Sequence, residues 1–87
     1  GYLREKAFAA VAVSYNEASG TALFQQFNKI STGDTVELLS PGRVGRPFAV
    51  GEITSESGEP LTCTPHPGMY YRLKTPFLVR PGDILRM

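Results

Sequence analysis

The sequence predicts an all-β fold, a small closed or partly open β-barrel of about six or seven short strands. Turn-forming clusters recur about every 8 to 12 residues. The runs between them are short and rich in β-branched and aromatic residues, and none carries the 3.6-residue period of an amphipathic helix. At 87 residues the chain cannot fill a second hydrophobic core, so residues 1–87 read as one domain. The first residue is Gly1 rather than Met, which suggests a module excised from a longer polypeptide.

Each element follows from local chemistry. "KAFAAVAVSY", Lys6 to Tyr15, is apolar on both alternating faces and reads as a strand covered on both sides. "NEASG" ends it with turn residues and "TALFQQFN" follows, which predicts a hairpin. Gly20 would supply the positive φ and Asn16 an Asx-type turn. "STGDTVELLSPG" is a strand bounded by Gly33-Asp34 and by Pro41-Gly42. "GRVGRP" is a loop, and "FAVGEITSE" is a strand in which Gly51 breaks alternation, so a bulge is expected there. "SESGEPLTC" makes a second hairpin with Ser57-Gly58 at its tip, and "TPHPGM" interrupts before "YYRLKT" resumes. "PFLVRPGD" then leads into the terminal "ILRM". Gly-Asp thus occurs twice before a short apolar run, as the corner that starts a strand. The expected core is Phe8, Val11, Val13, Leu23, Phe27, Val36, Leu38, Val50, Ile53, Leu73, Ile84 and Leu85.

Composition excludes several function classes. Nine Lys and Arg against eight Asp and Glu leave a net charge of +1, so bulk electrostatics call for neither a polyanion nor an anionic membrane, and any such partner needs a local patch. The longest apolar run, "AFAAVAVSY", is about half the length of a membrane-spanning helix. Cys63 is the only cysteine, which rules out an intramolecular disulfide and fits a reducing, cytoplasmic setting. Cys63 and His66 supply two potential ligands where a zinc site needs four, so no metal or cofactor is expected. As a nucleophile pair they lack an orienting partner, and the simpler expectation is a small buried thiol and a loop imidazole. No serine sits in a Gly-x-Ser-x-Gly elbow, and "GRVGRP" lacks the Lys-Ser/Thr ending of a phosphate loop. No catalytic residue is predicted.

The basic residues are more informative. Arg43 and Arg46 share a loop, and Arg72, Lys74, Arg80 and Arg86 crowd the last part of the chain among Tyr70, Tyr71 and Phe77. Arginine with exposed aromatics is how small barrels hold single-stranded or looped RNA, so Arg43, Arg46, Tyr70, Tyr71, Arg72 and Lys74 are candidate substrate or RNA contacts. The same alternation on "YYRLKT" would also suit the wet face of an edge strand.

The ordered signals "GDTVELLSPG", "PFAVGEI", "ESGEP", "PHPGMYYRL" and "PGDILR" resemble the C-terminal domain of the peptidase U32 family, the collagenase-like proteins. The early part fits too, with a strand like "FAAVAVSY" and an Asn in "ALFQQFNKISTGD" shortly before the Gly-Asp corner. Cys63 departs from the pattern, where a small residue such as Ala would fit comfortably. The resemblance implies a barrel similar to domain 2 of translation elongation factors, attached behind a TIM-barrel catalytic domain. It also implies that the chemistry lies elsewhere. The family's larger domain is credited with peptidase activity, and some members belong to RNA hydroxylation pathways whose iron–sulfur cluster is bound by cysteines outside this region. The expected role is therefore a noncatalytic accessory domain that positions a substrate or docks on its parent's catalytic domain. An RNA-binding module of an RNA-modifying relative is the alternative.

Overall fold

A computed structural model describes residues 7–87, and Lys6, expected to open the first strand, lies outside them. Among the described residues there is no helix. The strands are β1 (Phe8–Asn16), β2 (Thr21–Gln26), β3 (Thr35–Leu39), β4 (Arg46–Ala49), β5 (Ile53–Ser55), β6 (Pro60–Leu61), β7 (Tyr70–Lys74) and β8 (Ile84–Arg86). They form one antiparallel sheet in the order β4-β3-β8-β1-β2-β7-β5-β6, curled into a half-barrel. Eight short strands replace the expected six or seven because the "FAVGEITSE" run is divided. β4 ends at Ala49 and β5 begins at Ile53 elsewhere in the sheet, so Gly51 is a crossing point rather than a bulge. The bulges lie in β1, where register shifts between Phe8 and Ala10 and again between Ala12 and Ser14.

Turn chemistry forms as predicted. Asn16 Oδ1 accepts the Ala18 amide at 2.9 Å and the Ser19 amide at 3.3 Å, and Gly20 takes φ 69°. The two Gly-Asp corners are equivalent in their bonding. At the first, Gly33 N donates to Val50 O at 2.8 Å and Val50 N returns to Asp34 O at 2.7 Å. At the second, Gly82 N donates to Ala12 O at 2.9 Å and Ala12 N returns to Asp83 O at 2.7 Å. Each aspartate also accepts the amide three residues back, Ser31 N onto Asp34 Oδ2 at 2.8 Å and Arg80 N onto Asp83 Oδ2 at 3.0 Å. The glycines sit at φ 96° and 93°, where a side chain would be strained. The repeated dipeptide is thus a repeated device for starting β3 and β8.

Register decides what is inside. Ala12 pairs with Phe24, which pairs with Tyr71, and Ala22 pairs with Leu73, which pairs with Ile53. These rows point inward, and all their members are buried. The core is completed by Ala9, Ala10, Ile30, Val36, Leu38, Phe48, Val50, Val79 and Leu85. Six residues expected there are not fully buried. Phe8 is 54% exposed, Phe27 50% and Val13 40%, while Val11, Leu23 and Ile84 are half-buried. The reason is phase, since both faces of β1 are apolar and two bulges reset its alternation.

The open side of the curl is bridged by the segment before β3. Thr32 N donates to Thr62 O at 2.9 Å and Thr64 N to Ile30 O at 3.0 Å, with a lone bridge between Ser31 and Cys63. Buried Gln26 fastens this region from inside, donating through Nε2 to the Thr64 carbonyl and, at 3.1 Å, to Thr64 Oγ1, which also accepts Ile30 N at 3.0 Å. The ends of the strand order, β4 and β6, each contain a proline, Pro47 and Pro60.

Candidate functional site

The predicted basic and aromatic patch does not form one surface. Arg43 and Arg46 line a cavity of about 520 Å³ together with Ser40, Arg80 and Asp83. Arg72 and Lys74 line a second cavity of about 520 Å³ with Thr21, Glu52 and Pro76. Segment 75–78 joins the two, since Pro76 borders the second cavity and Leu78 the first. Thr75 fixes that segment by donating its amide N–H to Gly20 O at 2.9 Å and its hydroxyl to Phe77 O at 2.7 Å. Between them Phe77 meets Phe48 edge-on at 6.1 Å, and the Arg46 guanidinium lies over the Phe77 ring at 4.5 Å.

The two tyrosines separate by strand alternation. Tyr70 faces outward and is 38% exposed, whereas Tyr71 is fully buried and stacks on Phe24 at 6.0 Å. Burial pushes the Tyr71 phenol well above its usual range, and its hydroxyl has no hydrogen-bond partner among the described residues. Tyr71 therefore cannot stack on a base, a correction to its place among the candidate contacts. The strand carrying it is no edge either, because β7 pairs with β2 on one side and β5 on the other. Arg72 Nη1 donates to Glu56 O at 3.0 Å, and Arg86 is engaged by Glu37.

Cys63 is half-buried beside Ser31, and His66 is exposed in a turn whose carbonyl accepts Met69 N at 3.2 Å. No hydrogen bond joins the thiol to the imidazole among the described residues, and there no group of His, Cys, Asp and Glu could hold a metal ion. Nor is any helix among them long and apolar enough to cross a membrane.

Sequence reasoning missed the outer face of the sheet. Reading across paired positions, Leu39, Ile84, Val11, Gln25 and Tyr70 form one outward row over β3, β8, β1, β2 and β7. Leu23 and Arg72 stand in the next row, with exposed Val13 beside them at the bulge, and exposed Phe8 pairs with Arg86 beyond the other side. The signal for this face was present in the double-sided apolarity of "AFAAVAVSY".

A curled antiparallel half-barrel with these corners defines a small all-β domain. The family model described as "Peptidase family U32 C-terminal domain" matches residues 4–86, and the chain belongs to that family. Two solved structures are similar, both of the C-terminal domain of a Geobacillus thermoleovorans protein assigned to the U32 peptidases. The selenomethionine variant is 27% identical with a TM-score of 0.89, covering 93% of this chain and 99% of that one. The other is also 27% identical, with a TM-score of 0.85 and coverage of 90% and 88%. No curated protein sequence matches the chain significantly.

Proposed function

We propose that this chain is a noncatalytic accessory domain of a longer U32 protein, and that it docks on the remainder of that protein through the outer face of β8, β1, β2 and β7. The observation that supports this is β1 itself, apolar on both faces yet, among the described residues, covered on only one. Ala9, Ala10 and Ala12 fill the inside, while Val11, Val13 and Phe8 stand on the other side beside Leu23, Phe27 and Tyr70. An apolar patch of this kind on a domain belonging to a larger protein suits an interface between domains. Peptide hydrolysis would then belong to the rest of the parent protein, and this module would hold that part or its substrate in place.

The test is association in trans between the 87-residue chain and the separately produced remainder of a U32 parent, followed by calorimetry. Binding that falls at least about tenfold in Val11→Asp, with the fold intact by circular dichroism, supports docking through this face. Equal binding by Val11→Asp and the parent sequence would exclude it.

RNA contact has one specific observation in its favour, the pairing of Arg72 and Lys74 on the wall of the second cavity, with Tyr70 on the same strand. It predicts RNA affinity that weakens with salt and with charge reversal at both residues. Salt-independent or absent binding would remove it.

A further inference from the structure

The first cavity has features that docking through the outer face does not use. Two Pro-Gly turns border it. Ser40-Pro41-Gly42-Arg43 closes with Arg43 N donating to Ser40 O at 3.2 Å, and Arg80-Pro81-Gly82-Asp83 closes with Asp83 N donating to Arg80 O at 3.0 Å. Positive φ at Gly42 (75°) and Gly82 (93°), each after a proline, gives both the same type II geometry. One turn presents Arg43 at its last position and the other presents Arg80 at its first. Both arginines thus rise from pre-set backbone rather than from mobile loops.

Arg46 enters the same cavity from β4, its guanidinium plane held against the Phe77 ring. Stacking of this kind pre-organises the planar fork that matches an oxyanion. Its Nε is buried with no hydrogen-bond partner among the described residues, and so is the Oγ of Ser40, another residue of the cavity lining. Buried polar atoms are nearly always satisfied, and an unpaired donor on a cation is especially costly. Two such atoms on residues lining one cavity indicate a missing acceptor. Among the described residues, three guanidinium groups against the single carboxylate of Asp83 leave an excess of two positive charges around it.

We propose that this cavity binds a dianionic phosphate monoester. Arg46 Nε and the Ser40 hydroxyl donate to its oxygens, and Arg43 and Arg80 neutralise it from the two turns. At about 520 Å³ the cavity accommodates the phosphate and part of the group that carries it. The double charge selects a monoester over a backbone diester or a carboxylate, each of which brings one negative charge.

The experiment follows the arginine Nε–H resonances of the chain by NMR at pH 7.5, titrating inorganic phosphate, a nucleoside 5′-monophosphate, a dinucleoside phosphodiester and acetate in turn. The expected result is a saturable shift of the Arg46 signal by phosphate with Kd on the order of 1 mM. The nucleoside monophosphate should bind equally well if the phosphate alone is recognised, or more tightly if a nucleotide is its source. The diester and acetate should bind at least about tenfold more weakly. Arg46→Lys, which keeps the charge and removes Nε, should lose about tenfold, whereas Arg72→Gln in the other cavity should lose nothing. If Arg46→Lys does not fold, Ser40→Ala and Arg80→Gln carry the test, each weakening phosphate about threefold. Failure of phosphate to saturate, equal binding of acetate or the diester, or undiminished binding in the folded variants would each overturn the proposal.

Discussion

The two faces of the β1–β2 hairpin reverse the usual relation between side-chain size and depth. Inside are Ala9, Ala10, Ala12, Ala22 and one large ring, Phe24; outside are Val11, Val13, Leu23 and Phe27. The curl explains the inversion. Strands that bend around a narrow interior bring their inner faces close together, so small residues fit beside Phe24 and Tyr71, and the larger ones are left on the outside of the curve. Hydrophobicity alone therefore does not say which side of a curled strand is the core.

The largest expected effect tests the inner face. Phe24→Ala removes the ring stacked on Tyr71 and should cost about 3–5 kcal/mol in denaturant unfolding, and a loss below about 1 kcal/mol would mean that the hairpin is packed the other way round. Ala12→Leu forces bulk into the row shared with Phe24 and should cost about 1–3 kcal/mol, a sign that an outward position would not give. Tyr71→Phe deletes the unpaired buried hydroxyl and should leave stability unchanged or raise it by about 1 kcal/mol. Because the folded phenol stays protonated while the unfolded one ionises near pH 10.0, the parent sequence should also lose stability above that pH. Tyr71→Phe should lose less, as a pH series of melts will show. The smallest effect belongs to the outer face, where Phe27→Ala in the isolated chain should change stability by about 0.5 kcal/mol or less. A large loss there would show that the outer face is structural rather than free for a partner.

The turns were legible in the sequence because their causes are local. Asn16, Gly20, Gly33-Asp34, Gly58 and Gly82-Asp83 act through their own backbone and their nearest amides, and all stand where the residue types place them. Strand faces were less legible, since β1 gives no polar side to set its phase and its bulges reset the count twice. The edge reading of "YYRLKT" failed for a similar reason, as pairing with both β2 and β5 depends on contacts distant in sequence. For the candidate site, arginine was the right residue type but chain proximity was the wrong grouping. Arg43 and Arg46 belong with Arg80, brought over by the β3–β8 pairing, and not with Arg72 and Lys74. Nothing in the composition marked Gln26 as the interior fastening of the barrel's open side.

The prolines in β4 and β6 limit how this domain can meet anything else. Pro47 and Pro60 lie at the two ends of the strand order, where an incoming strand would have to find a row of free amides. Proline has no N–H to offer, and β6 is only two residues long, so a ninth strand has little to register against. Recognition by backbone addition, and with it stacking of copies into fibrils, is thereby discouraged. What the domain offers to a partner is its side chains.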